Sequence, residues 1–115
     1  MPNYSPDAYS LEKGLTYKFS AQYDYIRDID DRMPHYYLAT YIGRKKQDNT
    51  IWVFKNFMDQ ETKEFFPSKE IKHFGLMYPS FELVDDLKDL LKRLGVSKKI
   101  KNIYLKDLEF NNLDN

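Results

Sequence analysis

The chain contains no cysteine, which excludes a disulfide framework and any thiolate metal site and fits a reducing compartment. Glycine occurs only at positions 14, 43, 75 and 95, too sparsely for a phosphate-cradling loop or a dinucleotide fingerprint. No serine stands in a Gly-x-Ser-x-Gly nucleophile elbow. There is no excess of charge of either sign, since 18 basic side chains balance 18 acidic ones. That removes the simplest electrostatic case for a general nucleic-acid binder and leaves room for local patches. No apolar run approaches the ~20 residues that span a bilayer. The first residues, Met1-Pro2-Asn3-Tyr4-Ser5-Pro6, lack the basic and apolar regions of a secretory signal. The expectation is a cytoplasmic protein without a membrane span.

What is abundant is aromatic. Ten Tyr, eight Phe and one Trp let a few residues fill a small core, because each ring buries a large area with few rotatable bonds. At 115 residues the chain has the size of one domain with one core.

The pattern along the chain is first a lead-in, residues 1 to 14, with room for a helical turn near Asp7 to Lys13. From Leu15 to Tyr25 the residues alternate. Leu15, Tyr17, Phe19, Ala21, Tyr23 and Tyr25 fall on one side, with Thr16, Lys18, Ser20, Gln22 and Asp24 on the other. Period-two alternation over this length predicts a long, bent strand with one wet face. Asp28 to Met33 is a polar break closed by Pro34. A second strand is expected over His35 to Ile42, ending at Gly43, then a solvated loop from Arg44 to Asn49. A third strand spans Thr50 to Met58, a turn Asp59 to Thr62, and a short fourth strand Lys63 to Phe66. Connections this short make residues 15 to 66 an antiparallel meander. Pro67 ends pairing. Ser68 to Tyr78 reads as a turn of helix followed by loop.

Residues 80 to 95 read as an amphipathic helix. Leu83, Val84, Leu87, Leu90, Leu91 and Leu94 form its stripe, with Ser80 as N-cap and Gly95 as the left-handed stop. Residues 100 to 110 are ambiguous. Ile103 and Leu105 suit a strand, and Ile100, Ile103, Tyr104 and Leu108 suit a helix; the favoured reading is a final strand returning to the sheet. The expected fold is α+β, a small curled, mostly antiparallel sheet of about five or six strands, barrel-like, with one C-terminal amphipathic helix packed on it. The layout resembles small SH3-like or PUA-like barrels in outline.

Candidate chemistry is thin. Asp28, Asp30 and Asp31 form the densest acidic cluster, but Met33 stands where a calcium loop requires glycine, and Arg27 and Arg32 flank it. Glu70 and His73 have the i, i+3 spacing of a helical metal pair, which di-metal sites need twice; here it occurs once. His35 stands at a strand start, where a structural role is expected. Neither catalysis, a metal nor a cofactor is expected. Two basic groups remain: Arg44, Lys45 and Lys46 in a hairpin loop near Tyr41 and Trp52, and Lys92, Arg93, Lys98, Lys99 and Lys101 around the end of the helix near Tyr104, of which Lys98, Lys99 and Lys101 are the binding candidates. Cations interleaved with rings are what single-stranded nucleic-acid sites use. The same loop charges equally serve to keep a sheet soluble. The sequence thus points to a non-enzymatic regulatory binding protein, with RNA or single-stranded nucleic acid as first candidate ligand. The competing reading is a protein-binding antagonist or adaptor, anchored by tyrosines too numerous for the core. A composition rich in Lys, Asn, Ile, Tyr and Phe points to an AT-rich genome, where small phage or plasmid proteins act on host factors.

Overall fold

The structure is a computed structural model, and it describes residues 11–23, 35–72 and 76–113. Among these are five strands and two helices. They are β1 (Thr16–Tyr23), β2 (His35–Arg44), β3 (Ile51–Asp59), β4 (Phe65–Lys72), β5 (Leu76–Leu83), α1 (Leu87–Leu94) and α2 (Lys98–Leu113). The chain divides into two compact units, Met1–Leu83 with the sheet and Val84–Asn115 with the helices. No helix among the described residues is long and apolar enough to cross a membrane.

The strands form one antiparallel sheet in the order β4-β3-β2-β1-β5. The alternation of β1 places Tyr17 and Phe19 on the same face as Tyr37, Ala39, Tyr41, Trp52, Phe54, Phe57 and Ile71, and these side chains make the core. The sheet curls around them. Trp52 on β3 and Phe81 on β5 are three strand spacings apart, about 14 Å in a flat sheet, yet their ring centroids lie 5.5 Å apart, edge to face. Phe19 and Phe54, two strands apart, stack at 5.7 Å. On the opposite face Thr16 and Thr40 share a 2.8 Å hydroxyl hydrogen bond, and the paired Leu38 and Met58 are fully buried.

Bulges shape the curl. The β2–β3 register slips between Leu38 and Thr40, beside Asn56, whose φ of 51° is a conformation asparagine tolerates better than most residues. The slip moves the inward face of β3 from the Trp52–Phe54 phase to Phe57. A second slip lies next to Gly43, whose φ is 137°. A Cβ there would stand 2.8 Å from Lys13 Cε.

Several expectations are corrected. The fourth strand does not end at Phe66; it runs from Phe65 through Lys72, with Pro67 inside it, and Leu76–Leu83 is a fifth strand rather than loop and helix. Both lie at sheet edges, where a residue without an N–H is tolerated. The helix expected over 80 to 95 is α1 alone. Its N-cap is Asp86, whose carboxylate accepts from Asp89 N–H at 3.1 Å, not Ser80. Gly95 closes it at φ 68°, as expected. Leu87, Leu90 and Leu91 are its buried stripe. The final strand expected over 100 to 110 is instead helix α2, so there are two helices where one was expected. Ser97 starts α2 by accepting from Ile100 N–H at 3.3 Å. Asp28, Asp30, Asp31 and His73, together with the lead-in before Leu11, lie outside the described residues.

Candidate functional site

The two basic groups fall in different units. In the sheet unit, Arg44 ends β2 and is exposed, as is Lys46. Lys45 is half-buried and reaches across to β4, where its ammonium meets Glu70 Oε1 at 2.9 Å and Oε2 at 3.3 Å. An ion pair this exposed contributes about 0–1 kcal/mol, but it withdraws one of the three loop cations from any ligand. The loop is also pinned. Asp48 Oδ1 accepts from the Thr50 hydroxyl at 2.6 Å and from Thr50 N–H at 3.0 Å. Those hydrogen bonds hold the Asp48 carboxyl below the ordinary aspartate range, the hydroxyl contributing most. Because the folded-state pKa is depressed, the stabilisation is present above the ordinary aspartate value. It fades as pH falls through the lower native one. An NMR titration should show Asp48 with a midpoint below that of a solvated aspartate. Thr50→Val, which removes the hydroxyl and keeps the backbone N–H, should raise that midpoint part of the way toward the ordinary value.

In the helical unit, Lys98 and Lys99 are exposed and Lys101 is half-buried. They follow the end of α1, as expected, and also stand in the first turn of α2, a turn that carries no acidic residue. Cations at a helix N-terminus oppose the helix dipole.

The rings paired with these cations in sequence are not available beside them. Tyr41 is 6% exposed, Trp52 0% and Tyr104 1%. A base stacks on an open aromatic face, and these faces are packed: Trp52 against Phe54 and Phe81, Tyr41 against Phe54. Burial pushes the Tyr104 phenol far above its ordinary value. Period two held a usable signal, since Trp52 and Phe54 share one face of a strand.

A different constellation lies at the turn between β3 and β4. A half-open cleft of about 390 Å³ is lined by Tyr37, Phe57, Asp59, Thr62, Glu64, Phe66 and Lys69. Its floor is aromatic: Tyr37 and Phe57 are 5.2 Å apart, Phe57 and Phe66 6.3 Å. Its rim is a tightly bonded turn. Asp59 Oδ1 accepts from Glu61 N–H at 2.8 Å and Thr62 N–H at 3.1 Å, while Asp59 N–H donates to the Glu64 carbonyl at 3.0 Å. Lys63, at φ 65°, makes the reversal. Gln60 ties the turn to β2, donating from Nε2 to the Tyr37 carbonyl at 2.8 Å and from its N–H to the Tyr36 carbonyl at 2.9 Å. The Asp59 carboxylate is thereby fixed by the turn, while Glu64 stands exposed beside it.

Lys69 belongs to the cleft by register. It pairs with Phe54 across β3–β4 and so projects to the apolar side of an edge strand. Its ammonium lies 4.2 Å from the Phe66 ring centroid and 5.4 Å from that of Phe57, within cation–π range. The sequence reading gave Asp59 to a turn and Glu64 and Phe66 to a short strand without joining them into a site, and it missed Lys69 because it took residues 68 to 78 for a turn of helix followed by loop. Read as a strand, Lys69 two residues before Ile71 is a charge on an inward face.

Among the described residues no group of three or more His, Asp or Glu side chains is placed to hold a metal ion. No family model matches the chain, and comparisons with curated proteins and with solved structures find no match.

Proposed function

We propose that the protein is a non-enzymatic binding module that engages a protein partner in the cytoplasm, with the aromatic cleft as its contact site. The observation that carries this reading is the cleft itself: a half-open pocket over the buried Tyr37 and Phe57 and the half-buried Phe66, beside a hydrogen-bonded turn, with carboxylates at its mouth. Rigid aromatic floors with a polar rim are what protein interfaces use as anchoring pockets. The same geometry supports an antagonist or adaptor role, since the site offers a pocket for a partner's side chain.

Nucleic acid is the second reading. The placement of Lys98, Lys99 and Lys101 at the positive end of a 16-residue helix favours it, because that arrangement opposes helix stability and suits an anion. Arg44 and Lys46 add exposed charge on the sheet unit. The burial of Tyr41, Trp52 and Tyr104 leaves this reading with phosphate contacts and without its stacking rings.

One experiment separates the two. Photo-crosslinking benzoylphenylalanine is placed at Thr62 or at Lys46, and each protein is irradiated in an extract of the source organism. The expected result is a discrete protein adduct from position 62 and none from position 46. In parallel, mixed-sequence RNA and single-stranded DNA are titrated at low and moderate salt. No binding tighter than tens of micromolar is expected. Tight binding with a salt slope of about −0.7 per phosphate contact, flattened by changing Arg44, Lys45 and Lys46 to Gln, would install nucleic acid as the ligand instead.

A further inference from the structure

We propose that the cleft is a receptor for the ammonium group of a lysine side chain presented by a partner protein, and that Lys69 occupies it in the partner's absence. The inference rests on the protein-binding reading above and names the chemistry its partner must offer.

Three observations converge on it. First, the floor is a set of ring faces. The quadrupole of an aromatic ring attracts a cation placed over its face, and more strongly where water is excluded; Tyr37 and Phe57 are 2% and 1% exposed. Second, the mouth carries Asp59 and Glu64 and the turn that holds them, so the charge at the entrance is complementary to a cation. Third, the chain already places an ammonium there. Lys69 emerges from an inward-facing position on β4 and lies over Phe66 and Phe57. The cleft therefore already holds a cation over two of its rings. Lys69 is half-buried on an edge strand and has a flexible four-carbon stem, so it can swing out to solvent without breaking the β3–β4 ladder. An incoming lysine would take its place above the rings, its stem along Phe66 and its ammonium toward Glu64 and Asp59.

Displacement also explains how affinity would be set. The resident cation competes with the incoming one, so removing it opens the site, whereas removing a rim carboxylate weakens it. These opposite signs distinguish a cation receptor from an apolar pocket.

The test uses the full chain, labelled with ¹⁵N, and two small probes at millimolar concentration: N-acetyl-lysine methylamide and its uncharged counterpart N-acetyl-norleucine methylamide. Wild type, Lys69→Ala and the double variant Lys69→Ala with Glu64→Gln are compared. The lysine probe is expected to shift the amide signals of Phe57, Asp59, Glu64 and Phe66. Lys69→Ala should tighten it roughly three- to tenfold, the range of one cation–π contact. Adding Glu64→Gln should reverse most of that gain, and norleucine should have no comparable effect. Lys69→Gln, which keeps the stem and removes the charge, serves if the alanine variant fails to fold. Equal shifts from the two probes, or no gain on removing Lys69, would overturn the proposal and leave Lys69 as a charge that guards a sheet edge. Failure here combined with a protein adduct at position 62 sinks the lysine chemistry alone. Lysine binding with no adduct sinks the protein-partner reading and with it the protein source of the lysine, and leaves only a site for an ammonium group.

Discussion

Phe19→Ala is expected to destabilise the sheet unit by about 3–5 kcal/mol, the usual cost of emptying a packed aromatic site. Phe19 is the meeting point of four strands. Its ring lies 4.8 Å from Phe81 on β5, 5.2 Å from Tyr37 on β2, and 5.7 and 6.0 Å from Phe54 and Phe57 on β3. A cavity at that point cannot be closed by one neighbour relaxing, because each neighbour is itself held by other rings. Domains of this size have a net stability of about 5–15 kcal/mol, so the variant would lose a large share of it. Urea denaturation followed by circular dichroism measures the loss, with an unchanged slope showing that the native state is retained. Phe19→Leu, which keeps most of the volume, should cost under about 1.5 kcal/mol. A loss below about 1 kcal/mol for the alanine variant would mean that the rings are not packed as described.

The helical unit should be as sensitive. Leu91→Ala is expected to cost about 2–5 kcal/mol, because Leu91 is 0% exposed and flanked on the same stripe by Leu87 at 7% and Leu90 at 8%. Lys88→Ala, on the exposed face of the same helix, should stay within about 0.5 kcal/mol. The pair separates loss of burial from any change in helix propensity. Both are read from the midpoint of denaturation at fixed slope. A cost under about half a kcal/mol for Leu91→Ala would show that the stripe is open to solvent.

These two sensitive positions were also the most legible in the sequence. Alternation through Tyr17 and Phe19 and the leucine spacing at 87, 90 and 91 are direct images of a strand face and a helix face. The antiparallel meander through β3 followed from short connections. What the pattern could not carry was strand at the edges. Pro67 reads as a stop, yet it sits within an edge strand, where a missing N–H breaks no ladder. Leu83 and Val84 prolong the leucine periodicity beyond the real helix, which starts only after Asp86. In α2, Ile103 and Leu105 satisfy period two as well as helix, and the decision belongs to the buried Tyr104 and the Ser97 cap. The cleft was hidden by the same error, since Lys69 has no meaning as an inward charge until β4 exists. The rings proposed for base stacking failed for another reason. Nearness in sequence to a basic loop says nothing about which side of a strand a ring faces.

The strand order has a consequence for how the sheet assembles. Pairing within β1-β2-β3-β4 always joins strands that follow one another along the chain, whereas β1 pairs with β5 by matching Tyr17 with Leu83. Short loops close at small entropic cost, and contacts between distant residues wait until most of the chain is ordered. The hairpins of the meander therefore form early and β5 docks last, completing the core when Phe81 meets Phe19 and Trp52. Backbone amides along Leu76–Leu83 should exchange with solvent through opening of that one strand, at a lower free energy than those of β2 and β3. The seam along which this sheet closes is thus the β1–β5 ladder, on the opposite side of the strand order from the cleft. The cleft's frame of β2, β3 and β4 consists of consecutive hairpins and is complete before the seam closes.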